Sequence, residues 1–450
     1  MSALLVLLSL TSCASGNIIR SADSLLNPPL YYDEYEDLVN AFRDYAGYEV
    51  SLCSPYSGNH RSAIIVEDID GDPSYEAVVL YKTAPSPETG TSEVRIGYFD
   101  YANEEWKTVG DMAGHGDGIE SISLTDMDGD GIREIIVVWN TSGIISNFFL
   151  SIYRATISDP KFYEIFNENC MSYIVFDIDD DSYDDLFYIT QGSNHDVPQK
   201  TARVIGISGD SLVLHGEAKL DPNVSRYTLT VPEKRSDEGT FSLYIDALKV
   251  DQNMITEYLY WDSEDSVLVN PFFNPETVSN TKTFRYEQIA SEDINSDGKL
   301  DIPSQSVFDE PAGSFNAVDL ISGGSGETVY LTVWQNFSKG ETVNVAYTLI
   351  NVADGYMIHL SEDELDTVSV SSNSSENCWV VYDTNPATGE AVELYSVHKI
   401  TNSGAESEVK ENYVPIIENN NETVYVCITA SGAESGLNEK NIKDIITKFP

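Results

Sequence analysis

Basic residues are scarce in this sequence, which has 25 Lys and Arg against 74 Asp and Glu and a formal net charge of −49 over 450 residues. A chain this acidic repels phosphate backbones and anionic lipid headgroups, so we expect neither nucleic-acid binding nor charge-driven membrane binding. It should attract cations instead. Apolar residues still make up 41% of the chain, which is enough for a large core and argues against wholesale disorder.

Cysteine is also rare, with five in the chain. No two of them have CxxC spacing, so they do not form the usual zinc motif, and they are too scattered for a disulfide scaffold. With Cys13 set aside, Cys53, Cys170, Cys378 and Cys427 allow three pairings. Free buried thiols are equally consistent with the sequence.

Long hydrophobic runs are missing except at the start of the chain, so no membrane-spanning helix is expected. The apolar run within residues 1–13 is too short to span a bilayer and is typical of the h-region of a signal peptide, although no Lys or Arg precedes it. The run ends in Leu10-Thr-Ser-Cys13, which resembles a bacterial lipobox. Lipidation of Cys13 would hold the protein on the extracellular face of the cell membrane through its lipid alone, with residues 14–30 as a tether. A buried N-terminal strand is the other interpretation of this run.

Apolar residues at helical spacing are confined to two segments. One helix is predicted from Asp33 to Tyr45, within an N-terminal segment 31–59, and another from Leu437 to Phe449. Elsewhere, apolar and polar residues alternate in short runs, as they do in strands. We therefore predict an all-β domain over residues 60–450, with the two short helices packed on it.

Four acidic loops, each followed by an apolar run, recur along the chain. They cover residues 68–76, 126–134, 177–185 and 293–301 and are called loops one to four. Their first residues are 58, 51 and 116 positions apart. Because 116 is twice 58, one repeat near residue 240 is expected to keep its strands without a loop. A repeat of this length fits a four-stranded propeller blade, so residues 60–450 predict a seven-bladed β-propeller, or six blades if the C-terminal part forms a cap.

Each loop places an oxygen-bearing side chain at positions 1, 3, 5 and 9, and the backbone carbonyl at position 7 would add a ligand. Alternate side chains on a tight loop point to one centre, and calcium takes six to eight oxygen ligands. Magnesium is disfavoured because it keeps several waters. The predicted calcium ligands are Asp68, Asp70, Asp72, Ser74 and Glu76 in loop one; Asp126, Asp128, Asp130, Ile132 and Glu134 in loop two; Asp177, Asp179, Asp181, Tyr183 and Asp185 in loop three; and Asp293, Asn295, Asp297, Lys299 and Asp301 in loop four.

The loops differ at position 6, where the chain must turn most sharply. Gly131 and Gly298 occupy it in loops two and four, and Ser182 occupies it in loop three. Loop one has Pro73, whose fixed negative φ cannot copy a glycine with positive φ. Loop one is therefore expected to be a distorted, weak or empty metal site.

The run Asp126-Met-Asp-Gly-Asp-Gly-Ile-Arg-Glu134-Ile-Ile-Val-Val resembles the FG-GAP/VCBS-type repeat of integrin α-chain propellers and many secreted bacterial proteins. The resemblance covers residues 60–310, and beyond them only the strand-like sequence pattern continues, without acidic loops. It implies a calcium ion between two strands of each blade and a seven-bladed propeller. The stretch Leu52-Cys-Ser-Pro-Tyr-Ser-Gly58, together with the lipobox, resembles lipoproteins of Gram-positive clostridia.

Catalytic patterns are missing, since HExxH, the GxSxG elbow and the P-loop do not occur and the six histidines are dispersed. We therefore expect no enzyme activity. The sequence favours a monomeric, non-catalytic binding module whose partner is an extracellular protein or a glycan. A surface hydrolase or lyase on the same scaffold is the alternative, and a deep pocket with paired carboxylates beside a His or Arg would favour it.

Overall fold

The computed structural model describes residues 35–141, 148–156, 161–192, 199–209, 211–235, 240–308, 328–338, 341–373, 377–410 and 412–449. The predicted signal peptide, the tether and Cys13 lie outside these residues. Among the helices of the described part, none is long and apolar enough to cross a membrane.

The described chain forms successive antiparallel sheets, which confirms the predicted all-β class. In the first sheet, β1 and β2 both pair with β3, and β4 and β5 follow; the next three sheets have four strands each, paired in chain order. The first sheet contains β1 (Ser51–Leu52), β2 (Ile64–Glu67), β3 (Glu76–Lys82), β4 (Val94–Ala102) and β5 (Glu105–Ala113). The second contains β6 (Gly118–Thr125), β7 (Glu134–Asn140), β8 (Phe148–Thr156) and β9 (Lys161–Cys170). The third contains β10 (Ser172–Phe176), β11 (Asp185–Gly192), β12 (Gln199–Ser208) and β13 (Ser211–Leu220). The fourth contains β14 (Val224–Arg235), β15 (Thr240–Lys249), β16 (Met254–Asp262) and β17 (Val267–Val269).

The second half of the chain adds a two-stranded ribbon and two larger sheets. The ribbon consists of β18 (Phe273–Asn274) and β19 (Ser279–Asn280). The fifth sheet begins with β20 (Ile302–Val307), β21 (Tyr330–Ser338), β22 (Glu341–Asn351) and β23 (Tyr356–Leu360). The sixth contains β24 (Val368–Asn373), β25 (Cys378–Thr384), β26 (Ala391–Thr401), β27 (Tyr413–Glu418) and β28 (Glu422–Ile428), with β28 between β26 and β27. The last strand, β29 (Ile446–Lys448), joins the fifth sheet beside β23.

The described sheets do not give the seven blades that the repeat length predicted. Six sheets have four or five strands, and the seventh is only the ribbon. The repeat without an acidic loop near residue 240 is present as the fourth sheet. After it, residues 270–301 form only the ribbon and isolated bridges, and buried Arg285 donates hydrogen bonds to the carbonyls of Ile289 and Pro303 at 2.6 and 3.1 Å. This segment therefore contributes no four-stranded sheet.

The core lies between consecutive sheets. Val78 of β3 and Val137 of β7 share one apolar cluster, whereas Val138 of β7 and Tyr188 of β11 share the next. Adjacent residues of β7 thus pack in opposite directions, because side chains alternate along a strand. The third sheet packs on the fourth, the fourth on the fifth and the fifth on the sixth in the same way. The inner strands are buried on both faces, which explains their nearly continuous apolar runs.

Both predicted helices are present: the first ends one residue later than predicted, its predicted start at Asp33 lies outside the described residues, and the second is shorter than predicted. Helix α1 (Glu36–Ala46) packs Leu38 and Phe42 against the first sheet. The short helices α2 (Ala405–Glu408) and α3 (Ala430–Glu434) and the 3₁₀ turn Glu362–Asp366 lie in connections. Helix α4 (Glu439–Ile445) is capped by Asn438 and ends early, because the residues that follow it pair with β23 as β29.

The four cysteines in the described residues form no disulfide bond with one another, so none of the three pairings that the sequence allowed is formed. Cys170 and Cys378 are buried, and Cys53 and Cys427 are partly exposed. Cysteine therefore contributes packing rather than covalent bonds to the described fold.

Candidate metal centre

The four acidic loops occupy equivalent places in their sheets. Loops one, two and three connect the first two long strands of the first, second and third sheets. Loop four precedes β20 and is closed by an isolated bridge between Glu292 and Asp301. The predicted hairpin setting is therefore complete in three loops and reduced to a single bridge in the fourth.

The carboxylate at position 9 closes every loop. In each case it accepts a hydrogen bond from the backbone N–H at position 2, over 2.7 Å in loop one, 2.9 Å in loop two and 3.2 Å in loops three and four. All four of these side chains are buried: Glu76, Glu134, Asp185 and Asp301. A hydrogen bond from position 2 to position 9 therefore joins the two ends of every loop, and the role of position 9 as a metal ligand stays a prediction.

Position 6 behaves as the sequence predicted. Gly131, Ser182 and Gly298 have positive φ, and the N–H of each donates to the position-1 carboxylate at 3.0, 2.9 and 2.8 Å. Pro73 has no N–H to donate, so loop one lacks this bond. Position 4 also has positive φ in all four loops, a requirement that the sequence analysis missed although Gly71 and Gly129 occupy it in loops one and two.

Predicted ligand atoms are gathered in three of the loops. Carboxylate oxygens within 4.8 Å of one another come from Asp68, Asp70 and Glu76; from Asp126, Asp128 and Glu134; and from Asp177, Asp179 and Asp181. These groups could hold a metal ion. The carboxylates of loop four are not gathered this closely among the described residues, and Asn295 supplies its position-3 oxygen.

Positions 5 and 7 have a structural role in every loop. The N–H of each predicted carbonyl ligand, Ser74, Ile132, Tyr183 or Lys299, donates to the position-5 carboxylate over 2.6 to 2.9 Å. In loop one, Asp72 is turned towards Ser74 and does not join the gathered oxygens. The role of the position-7 carbonyls as ligands stays a prediction.

Buried oxygens without a hydrogen-bond partner mark where a cation fits. Oε1 of Glu76 and Oδ1 of Asp301 have no hydrogen-bond partner among the described residues. Burial raises the pKa of Glu76 to about 7 and that of Asp301 to about 6. Placing an ionised carboxylate in such a position is costly unless a positive charge compensates it. Loop one therefore has both the gathered donor atoms and the electrostatic demand for a cation, whereas loop four has only the electrostatic demand.

The residue beside position 9 on the next strand differs from loop to loop, and the sequence analysis did not single it out. In loop one the paired residue is Asp100, which adds another carboxylate. In the second and third sheets the strand pairing begins one residue after position 9. Continuing the register back by one residue places Arg154 beside position 9 in the second sheet and Gly206 beside it in the third. In loop four the equivalent residue is Asn336. These differences give each loop its own electrostatic environment.

Loop two contains its own positive charge. Arg154 is buried, and its guanidinium forms ion pairs with Asp128 at 3.3 Å, with Glu134 at 3.5 Å and with Asp130. It also donates to the carbonyl of Gly209 in the turn between β12 and β13. The guanidinium therefore stands where a cation would compensate three of the predicted ligands.

The first three loops touch one another along one edge of the sheets. The backbone N–H of Arg133 donates to the carbonyl of Ile69 at 2.7 Å, and a side chain at Gly71 would meet the carbonyl of Gly131 at 2.7 Å. Tyr183 of loop three packs directly on Gly129 of loop two. Because these loops are in contact, ions or charges in neighbouring loops can influence one another.

No protein-family model matches this chain, and no curated protein matches its sequence. Among solved structures, the chain is similar to a rhamnogalacturonan lyase of Bacillus licheniformis, with 11% identity, a TM-score of 0.29 and coverage of 76% of this chain and 71% of that one. It is also similar to an exo-β-1,3-galactanase of Phanerochaete chrysosporium, with 10% identity, a TM-score of 0.27 and coverage of 89% of this chain and 91% of that one. A putative 6-phosphogluconolactonase of Bacteroides fragilis has 9% identity, a TM-score of 0.25 and coverage of 76% of this chain and 92% of that one. Similarities this low carry no argument about fold or function.

Proposed function

We propose that this protein is a calcium-binding β-propeller that acts as a non-catalytic binding module at the cell surface, anchored by a lipid on Cys13. The observation that carries the calcium assignment is the buried carboxylate of Glu76: one of its oxygens lies within 4.8 Å of ligand oxygens of Asp68 and Asp70, and its Oε1 has no hydrogen-bond partner among the described residues. Calcium is the ion that prefers such all-oxygen, carboxylate-rich loops. In this proposal the six described sheets are blades, and the ions hold their connecting hairpins.

Exposed tyrosines favour the loop edge as the binding surface. Tyr75 of loop one is 60% exposed and Tyr183 of loop three is 43% exposed. A tyrosine offers both an apolar ring and a hydroxyl, which suits contact with a glycan or a protein. Because both tyrosines belong to the acidic loops, calcium would order the backbone that presents them. The partner we propose is an extracellular protein or a glycan bound at this edge.

Thermal unfolding with and without calcium tests the metal assignment. At about 2 mM calcium, a site with a dissociation constant of 0.1–1 mM adds about 0.7–1.8 kcal/mol to the free energy of unfolding. We expect the melting temperature of the metal-stripped protein to rise by a few degrees with calcium and much less with magnesium. Equilibrium dialysis should find two to four calcium ions per chain. A protein that binds no calcium and shows no shift would refute the proposal.

Glu76→Gln tests loop one itself. Removing the buried charge at position 9 should lower the calcium count by one and reduce the thermal shift, because the neutral amide is a weaker ligand. Glu67→Gln is the matched control, since Glu67 lies one residue before loop one and pairs with Arg133 instead. Dialysis of both variants at the same calcium concentration is the measurement. Equal calcium counts in the two variants would remove loop one from the proposal.

Arg154→Met tests the internal charge of loop two. Without metal, the variant leaves three carboxylates uncompensated and should lose about 3–5 kcal/mol of stability. Calcium should restore much of this loss, and dialysis should find a calcium ion bound more tightly in loop two than in the unmodified protein. Arg133→Met is the control, because Arg133 is 43% exposed and pairs only with Glu67 among the ion pairs of the described residues. If both variants respond alike to calcium, Arg154 does not compete with the ion.

A further inference from the structure

Loop three differs from the other loops because a histidine reaches it. Nδ1 of His215 on β13 lies 3.3 Å from Oδ1 of Asp185 and 3.7 Å from Oδ2 of Asp179. These three ligand atoms all lie within 4.8 Å of one another. The other oxygens of the two carboxylates hold the loop, since Asp185 Oδ2 accepts from the N–H of Ile178 and Asp179 Oδ1 accepts from that of Asp181. Each carboxylate therefore turns its remaining oxygen towards the imidazole.

A β-bulge brings His215 to this place. The pairing of β12 with β13 passes from Val204–Gly216 to Ile205–Leu214, so His215 is the extra residue. The first two sheets have a bulge at the same point, where Val109 and Ile165 are the extra residues and pack into apolar clusters. Bulges redirect side chains and are common beside functional sites. Only the third of these sheets places a potential metal ligand there.

Gly206 provides the space that the imidazole occupies. It stands where Asp100 and Arg154 stand in the first two sheets, beside the position-9 carboxylate. A Cβ at residue 206 would lie 2.8 Å from the imidazole and 3.2 Å from Asp185. The third sheet therefore differs from the first two in two linked ways: it has no side chain at residue 206, and the imidazole of His215 occupies the space that this leaves.

We propose that His215, Asp179 and Asp185 hold a borderline divalent ion such as zinc or cobalt in loop three, in place of the calcium for which Asp179 and Asp185 are also predicted ligands. Calcium prefers oxygen ligands, whereas an imidazole nitrogen suits zinc and its neighbours in the first transition row. Bonds of about 2.0–2.2 Å in a tetrahedral site put neighbouring ligand atoms roughly 3.3–3.6 Å apart, close to the separations seen here. Water or a partner's side chain would complete the coordination. The assignment of this site to a borderline ion rests on the imidazole nitrogen and does not require calcium in the other loops.

Cobalt(II) is the probe for this site, because a cobalt ion bound by nitrogen and oxygen has visible absorption bands. The full chain is stripped of metal, saturated with calcium and titrated with cobalt. We expect one tightly bound cobalt, displaced by zinc and retained in excess calcium. His215→Gln should weaken cobalt binding at least about tenfold, because it removes one of three protein ligands. Gly206→Ala should weaken it as well, by displacing the imidazole without removing a ligand.

His115→Gln is the matched control, because His115 contacts a single carboxylate, Glu164, at 2.8 Å and lies outside the loops. It should bind cobalt as the unmodified protein does. Absence of a cobalt band, its displacement by calcium, or an unchanged band in His215→Gln would overturn the proposal and leave His215 as an ion-pair partner. Circular dichroism of all three variants shows that they are folded. Calcium dialysis reports on the other loops separately, so failure of the calcium proposal is distinguishable from failure of this one.

Discussion

Metal-free protein is expected to lose stability as the pH rises from about 5 to about 8, and calcium is expected to remove most of that loss. The groups responsible are the four position-9 carboxyls. Burial raises the pKa of Glu76, Glu134 and Asp185 to about 7 and that of Asp301 to about 6. In the unfolded chain, such carboxyls lose their protons near pH 4.

The direction of this pH dependence follows from the number of protons that the folded and unfolded states bind. Between about pH 4 and pH 7 the folded state binds more protons than the unfolded state, so these groups stabilise the fold most below their unfolded pKa. That contribution is lost as the pH rises through the folded pKa. One unit of pKa difference corresponds to about 1.4 kcal/mol, so four buried carboxyls together amount to several kcal/mol. Calcium binds the ionised carboxylates and supplies the missing positive charge, so its stabilising effect should grow with pH.

Urea unfolding of metal-stripped protein across this pH range, with and without calcium, measures the effect. Glu257 is the internal control, because burial raises its pKa to about 7 although it belongs to no acidic loop. The pH dependence of stability that remains in calcium should be smaller in Glu257→Gln. A metal-free protein that becomes more stable between about pH 5 and pH 8 would contradict the proposed electrostatics of the loops.

Arg285→Met is expected to lower the free energy of unfolding by about 3–5 kcal/mol, with or without calcium. Arg285 is fully buried, and its guanidinium lies 2.8 Å from Asp246, which is also buried. Asp246 further accepts hydrogen bonds from the N–H and hydroxyl of Ser291 at 2.7 and 2.8 Å. The substitution leaves the buried carboxylate of Asp246 without its positive partner. It also removes the hydrogen-bond donor of the backbone carbonyls of Ile289 and Pro303.

Chemical unfolding in excess calcium measures the loss. Arg203→Met is the control, because Arg203 is a third exposed and pairs with Glu168 and Glu217 at 3.4 and 3.5 Å. Removing exposed ion pairs should cost less than about 1 kcal/mol. The double variant Arg285→Met/Asp246→Leu should recover part of the loss, because it leaves no unpaired buried charge. Equal losses in the two arginine variants would show that Arg285 does not stabilise the fold through its buried pair.

The acidic loops were predictable because their geometry is local. Positions 1 and 6, and positions 2 and 9, are joined by hydrogen bonds within nine residues, so the spacing of Asp, Gly and Glu carries the information. The same holds for Pro73, whose missing N–H removes one of these bonds. Position 4 escaped notice because Asp180 and Ser296 adopt positive φ there without being glycines.

The residues facing the loops were not predictable, because they come from other strands. Arg154 meets loop two and His215 meets loop three only after strand pairing and a β-bulge have set the register. In the sequence alone, the first is an ordinary charged residue in an apolar run and the second is one of six dispersed histidines. Nothing in their immediate neighbourhood distinguishes them.

By itself, the sequence determined the all-β class, the two terminal helices and the four loops that close on a buried carboxylate, because alternation of side chains and short-range hydrogen bonds are local properties. The number of sheets depended on the tertiary structure: residues 270–301 form only the β18–β19 ribbon and isolated bridges, and buried Arg285 donates hydrogen bonds to the carbonyls of Ile289 and Pro303. Tertiary structure also decided which charge faces each loop, since Asp100, Arg154 and His215 reach position 9 across strand pairs. Local geometry can therefore be predicted from spacing, whereas the electrostatics of a site depend on contacts that only the folded chain makes.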